Sequence, residues 1–202
     1  MQLSPLEKNL VNKGFLVSGI DEVGRGPLAG PLFVGIYQIN KDTKITEGVN
    51  DSKKLSEKKR KYIYNSLTEN TEYFATESID ENEIDRLGIV NAIKKAMEKV
   101  SSKFKSDMTL IDGVFKDRFN IKEYRTEIKG DSIHYCIAAA SIIAKVQRDQ
   151  LMIELAQKYP EYDFENNKGY GTKTHIDAIK KYGPCEIHRN SFIQGIINKD
   201  IY

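Results

Sequence analysis

Gly19-Ile20-Asp21-Glu22-Val23-Gly24-Arg25-Gly26-Pro27-Leu28-Ala29-Gly30-Pro31 runs apolar strand residues into two adjacent carboxylates and then a glycine-rich turn. Burying ionised carboxylates without partners is costly, so a strand that carries two beside a flexible loop points to something cationic that binds there. A metal ion is the first candidate. On either side of the turn, Phe15 to Val23 and Leu32 to Ile39 read as strands, a hairpin-like start with Gly24 to Pro31 as the connection.

Working outward, Ser56 caps a helix through about Leu67, and Glu72 to Ile79 has the composition of a third strand. Asp80, with Glu83 three residues on, opens a single long amphipathic helix whose apolar positions are Ile84, Leu87, Val90, Ile93, Ala96, Met97 and Val100. Met108 to Ile111 is a short buried strand ending at Asp112-Gly113, and Glu123 to Ile128 is a fifth. A carboxylate at a strand end faces a crevice rather than the core. The alanine-rich stretch from about Ile133 to Lys158 predicts a long helix, its small residues packing closely on the sheet. After Tyr159-Pro160 the chain turns loop-like around Lys168-Gly169-Tyr170-Gly171-Thr172-Lys173, with short helices starting near Thr174 and Asn190.

At 202 residues, 40% hydrophobic and 30% charged, the chain suits one folded domain without a disorder signature. No apolar run reaches the roughly 20 residues of a membrane helix, and Met1 to Lys8 lacks the apolar core of a signal peptide, so the expected location is cytoplasmic. Cys136 and Cys185 lie far apart and predict free, buried thiols rather than a disulfide or zinc framework. The net charge of +2 does not announce a nucleic-acid binder, but Asp51 to Lys61 holds six cations against two anions, a local positive patch. No exposed heptad or apolar patch demands a dimer, and a monomer is expected.

Asp21, Glu22, Asp112 and Asp131 stand out by position. Carboxylate-rich oxygen sites suit Mg²⁺ or Mn²⁺ and leave room for water and a substrate phosphate. The chemistry implied is metal-assisted phosphodiester hydrolysis, two ions about 3.5–4 Å apart stabilising the attacking and leaving oxygens in line. Neighbouring strand residues point to opposite faces, so a strand end or a bulge has to re-aim Asp21 or Glu22.

The 19–31 stretch together with Asn50-Asp51-Ser52-Lys53-Lys54-Leu55-Ser56, Asp112-Gly113, Lys129-Gly130-Asp131, Ala138 to Asp149 and Lys168 to His175 resembles ribonuclease HII, in the family's order and over almost the whole chain. The resemblance implies an α/β, ribonuclease H-like fold, a five-stranded mixed sheet flanked by helices, within a single domain (1–202) whose part from about 159 to 202 is a helical, substrate-binding extension. It further implies endonucleolytic cleavage of the RNA strand in RNA–DNA hybrids and incision at single ribonucleotides in duplex DNA. The family's metal-binding acids fall on Asp21, Glu22, Asp112 and Asp131, its Gly-Arg-Gly loop on Gly24, Arg25 and Gly26, and its ribose-sensing tyrosine on Tyr170. Only glycine lets backbone come this close to a nucleotide, and the 2′-hydroxyl separates RNA from DNA.

Lys53, Lys54, Lys145, Arg148 and Lys173 are the candidates for phosphate contacts, with pairing to a carboxylate as the alternative for Lys145. His134, His175 and His188 read as structural or exposed, with proton transfer the less favoured role. The sister family, ribonuclease HIII, is disfavoured by the short lead before Asp21 and the intact Lys-Gly-Asp. A non-catalytic hybrid-binding module is disfavoured because a pure binder gains nothing from carboxylates beside phosphates. Asn198 to Tyr202 are open as a docking segment for a repair partner.

Overall fold

The structure is a computed structural model that describes residues 1–197; the segment Asn198 to Tyr202, raised above as a docking segment, lies outside the described residues. Its strands are β1 (Val17–Val23), β2 (Leu32–Ile39), β3 (Phe74–Ile79), β4 (Met108–Asp112) and β5 (Tyr124–Glu127), in the sheet order β3-β2-β1-β4-β5. β1 pairs antiparallel with β2 and parallel with β4, and β4 pairs parallel with β5. This is the expected five-stranded mixed sheet. The helices are α1 (Pro5–Asn12), α2 (Glu57–Glu69), α3 (Glu81–Leu87), α4 (Ile89–Ser101), α5 (Tyr135–Lys158), α6 (Phe164–Asn167), α7 (Lys173–Tyr182) and α8 (Asn190–Ile197). Among the described residues no helix is long and apolar enough to cross a membrane.

The chain sorts into two compact units. The first takes Met1–Val23, Phe33–Glu77 and Lys94–Val146, and the second takes Gly24–Leu32, Ser78–Ile93 and the residues from Gln147 onward.

In the first unit, the N-terminal half of α5 lies directly on the sheet. A Cβ at Gly19 of β1 would sit 2.2 Å from the Cys136 carbonyl carbon, and one at Gly35 of β2 would sit 2.4 Å from the Ala140 oxygen. Helix backbone therefore touches strand backbone, which is what the small residues of Cys136 to Ala144 permit, and every one of those residues is buried. Around this contact the core gathers Val17, Tyr37, Ile39, Leu110, Tyr135, Ile137 and Ile143 with Ile63 and Leu67 of α2.

Helix α1 is absent from the sequence-based expectation, although Ser4-Pro5-Leu6-Glu7 forms a complete capping box with proline at the helix start. Glu7 has a second task. Its fully buried carboxylate accepts from the N–H groups of Tyr135 at 3.1 Å and Cys136 at 2.8 Å, capping the start of α5 from a remote helix.

The single helix expected after Asp80 is two. α3 ends at Gly88, whose φ of 74° is a left-handed turn that stops one helix before α4 begins. Apolar spacing runs across this break without a gap, so periodicity alone does not reveal it; Val90, placed by that spacing on the apolar side, is 51% exposed.

In the second unit, Ala29, Met152, Tyr162, Phe164, Ala178, Ile179 and Ile193 make a separate small core.

Because Glu7 supplies charge-assisted bonds to the start of the helix on which the first unit is built, Glu7→Ala is expected to lower unfolding free energy by about 3 kcal/mol in urea denaturation. Glu7→Gln is expected to fall between the variant and the wild type.

Candidate active site

The β1–β4 ladder ends at Ile20↔Ile111, so one rung further Asp21 stands beside Asp112 at the carboxyl ends of two parallel strands. Asp21 is buried on the α5 side of the sheet. Its Oδ1 accepts from the Glu22 N–H at 2.7 Å, and Ser141 of α5 donates to it. The Ser141 hydroxyl lies 3.0 Å from that of Ser52, which opens the 3-10 turn Ser52–Lys54. Asp112 Oδ1 accepts from the Gly130 N–H at 2.6 Å, and Asp131 follows in the 3-10 turn Gly130–Ser132. Lys129, just before this turn, holds a left-handed φ of 56°, a conformation that costs a side-chain-bearing residue about 1 kcal/mol.

These acids share one electrostatic field. Burial, then the neighbouring Glu22 charge, push the Asp21 carboxyl well above its usual range; Asp112 and Asp131 add to this and the Ser141 hydrogen bond opposes it. Asp131 is raised as well, by burial first and then by Asp112 and Asp51, with Lys53 opposing. Burial by itself lowers Lys53, yet the charges of Asp21, Asp131, Asp51 and Asp112 hold its ammonium above the ordinary value. Among the described residues, no group of three or more His, Cys, Asp or Glu side chains is arranged so that it could hold a metal ion as it stands.

Glu22 follows Asp21 on β1, and its charge is the second cause, after burial, that raises the Asp21 carboxyl. The β1–β2 register runs unbroken from Val17↔Ile39 to Val23↔Phe33, so no bulge re-aims it. Its side chain leaves the opposite face of β1 from Asp21, half-buried, beyond the last rung with β4.

In the second unit, the Gly24–Leu32 loop is tied to the Gly169-Tyr170 turn: Leu28 N–H donates to the Gly169 oxygen at 2.8 Å. Arg148 requires a correction. Placed by sequence among the phosphate contacts, it is fully buried, and it donates to the carbonyls of Pro31 at 2.9 Å, Lys168 at 3.0 Å and Ala29 at 3.3 Å. Its donors are spent on the loop. The guanidinium lies 5.9 Å from the centre of the Tyr170 ring, which is 41% exposed. Arg25, Gly26 and Lys173 are exposed as well, with Lys173 paired to Asp177 at 2.5 Å. Lys53 and Lys54, in the first unit, are exposed, and Lys145 is half-buried.

All three histidines are buried. His134 Nδ1 is 2.9 Å from the Ser4 hydroxyl, an anchor for α1. His175 Nδ1 is 2.9 Å from the Tyr170 carbonyl and so must donate to it, which leaves Nε2 to accept from His188 Nε2 at 3.0 Å; His188 Nδ1 then accepts from the Cys185 N–H at 2.9 Å. This chain of bonds requires both rings neutral. Both cysteines are free, Cys136 buried and Cys185 half-buried. Sequence reasoning passed over Glu7 and Arg189; the first had a local signal in its capping box, whereas an arginine between His188 and Asn190 carries none.

The profile of the Ribonuclease HII family matches residues 18–195. The chain belongs to the ribonuclease HII family. Ribonuclease HII of Caldicellulosiruptor bescii is 43% identical over 96% of this chain and 94% of its own length, and that of Endomicrobium trichonymphae is 47% identical over 92% and 90%. Among solved structures, ribonuclease H2 of Pyrococcus horikoshii superposes with a TM-score of 0.78 at 26% identity, covering 91% of this chain and 98% of the other. As a member of this family, the chain is an endonuclease, a phosphodiester hydrolase that leaves 5′-phosphate ends.

Burial, and then His175, lower His188 to about 4, so the folded protein excludes a proton that the unfolded chain binds below its ordinary value near 6.5. Stability is therefore expected to be undiminished by this group above about pH 6.5 and to decline as pH falls toward 4, by up to about 3 kcal/mol. Urea unfolding across that range checks it, with a shallower decline expected in His188→Leu.

Proposed function

We propose that this protein is a divalent-metal-dependent nuclease that cuts the RNA strand of RNA–DNA hybrids and incises 5′ of single ribonucleotides embedded in duplex DNA, leaving 3′-hydroxyl and 5′-phosphate ends. The observation that carries the reading is the Asp21, Asp112 and Asp131 group at the ends of neighbouring elements, where burial first and then the nearby carboxylate charges, that of Asp112 among them, raise Asp21 and Asp131. An oxygen-only donor set in a negative field fits Mg²⁺ or Mn²⁺, which bind through one or two carboxylates and fill the remaining positions with water and substrate phosphate.

Asp21, Asp112 and Asp131 would hold the ions, with Glu22 joining from the other side of its strand. When bound, a pair of divalent ions supplies a more acidic attacking water and stabilises the leaving 3′-oxygen. The Ser141 hydroxyl fixes the orientation of Asp21, and the Gly130 N–H fixes that of Asp112. Lys53, Lys54, Lys145 and Lys173 engage phosphates and give affinity and register without reading sequence. Gly24, Arg25 and Gly26 bring backbone against the ribonucleotide, while the exposed Tyr170 ring packs on the sugar at the same step, with Arg148 ordering both from behind. The chain acts as a single ribonuclease H-like domain, as a monomer in the cytoplasm, and the residues from about 159 contribute to substrate binding.

An incision assay tests this on duplex DNA with one ribonucleotide, in Mg²⁺, Mn²⁺ or EDTA. Cutting 5′ of the ribonucleotide is expected with either metal and none with EDTA. Asp21→Asn is expected to lose about a thousandfold or more in rate, with duplex binding largely retained. Binding without metal-dependent cutting would instead favour a non-catalytic hybrid-binding module.

A further inference from the structure

Arg189 is fully buried, yet all of its hydrogen bonds to the chain's glycine-rich loop are made to backbone oxygens. Nη2 donates to Gly24 at 2.7 Å and to Gly30 at 2.8 Å, Nη1 to Arg25 at 3.2 Å, and Nε to Gly30 at 3.0 Å. Among the described residues there is no cis peptide bond, so C=O and N–H point in opposite directions across each of these peptides. Turning the Gly24 and Arg25 oxygens inward onto Arg189 therefore turns the N–H groups of Arg25 and Gly26 the other way. Arg25 and Gly26 are exposed, and a Cβ added at Gly26 would meet nothing within 4 Å.

We propose that Arg189 is a positioning residue for ribonucleotide recognition, clamping the peptide units on both sides of Arg25 so that two successive N–H donors face a phosphate or 2′-hydroxyl oxygen of the substrate. The inference rests on the reading of Gly24 to Gly26 as a substrate loop. Successive N–H groups aimed one way make a site for an anionic or hydroxyl oxygen.

A planar five-donor fork is what this task demands. Gly24, Arg25 and Gly30 are reached by three different nitrogens of one guanidinium, and a lysine, with its donors on a single atom, cannot span them. The fork itself is held in place. The Arg189 Cζ lies 5.2 Å from the centre of the Phe192 ring, the Arg189 backbone N–H donates to the Leu28 oxygen at 2.8 Å, and Asp85 accepts from the next two backbone N–H groups, Asn190 at 2.7 Å and Ser191 at 3.1 Å.

The test measures binding in EDTA, without turnover, to two duplexes that differ only in a single 2′-hydroxyl. Arg189→Lys and Arg189→Gln, checked for folding by thermal melting, are expected to lose about tenfold of the preference for the ribonucleotide duplex. Affinity for the all-DNA duplex is expected to change by less than about twofold, because phosphate contacts dominate it. Gly26→Ala, which has room in the free protein, reports on the loop independently. If Gly26→Ala loses the preference and Arg189→Lys keeps it, the role of Arg189 is overturned and the loop reading stands; if both keep it, the loop reading falls as well. Should neither Arg189 variant fold, hydrogen exchange on the wild-type protein decides. Protection of Gly24 to Gly26 gained with the ribonucleotide duplex and not with all-DNA supports the clamp, and equal protection with both overturns it.

Discussion

The direct contact of the α5 backbone with β1 and β2 at Gly19 and Gly35 is the constraint on which the candidate active site depends. With no side chain between helix and strand, the helix has one seat, and that seat sets Ser141 against Asp21. The turn carrying Asp131 leads into the same helix, whose first N–H groups are capped by Glu7. Asp21 and Asp131 both feel the charge of Asp112. The raised pKa of Asp21 and of Asp131 reflects burial first and then the charges of the neighbouring carboxylates.

The Gly24–Leu32 loop obtains its order by a different route. The loop's glycines have no side chain with which to fix their backbone by packing, and the loop's inward carbonyls are instead collected by Arg148 and Arg189. Burial of two guanidiniums is costly, and it lowers Arg189 to about 10, which still leaves it charged near neutral pH. The neutral His175–His188 relay ends on the Tyr170 carbonyl, so the tyrosine's turn is braced by bonds that a proton would break.

Much of this was legible before any coordinates. Met108 to Ile111 is apolar and stops at Asp112-Gly113, and such a run can only be a short buried strand with a carboxylate at its end. The small-residue pattern of Cys136 to Ala144 correctly implied close packing on the sheet. What escaped was decided by tertiary structure. Arg148 has the sequence character of a surface cation, and only the neighbouring carbonyls show that it is interior. The purpose of Glu7 lies in Tyr135 and Cys136, far along the chain, and the break at Gly88 is invisible to a periodicity that continues through it. Glu22 illustrates a sound constraint with an open outcome: alternation along β1 forbids it from sharing a face with Asp21, and the unbroken register upholds that rule.

Confinement of like charges makes a thermodynamic claim, which thermal melting of the wild type and Asp21→Asn, each with and without Mg²⁺, tests most directly. Asp21→Asn without metal is expected to melt above the metal-free wild type, because a repelling charge is gone, and Mg²⁺ is expected to raise the wild type while leaving the variant nearly unmoved. A variant that melts lower and still gains as much from Mg²⁺ as the wild type would contradict the account.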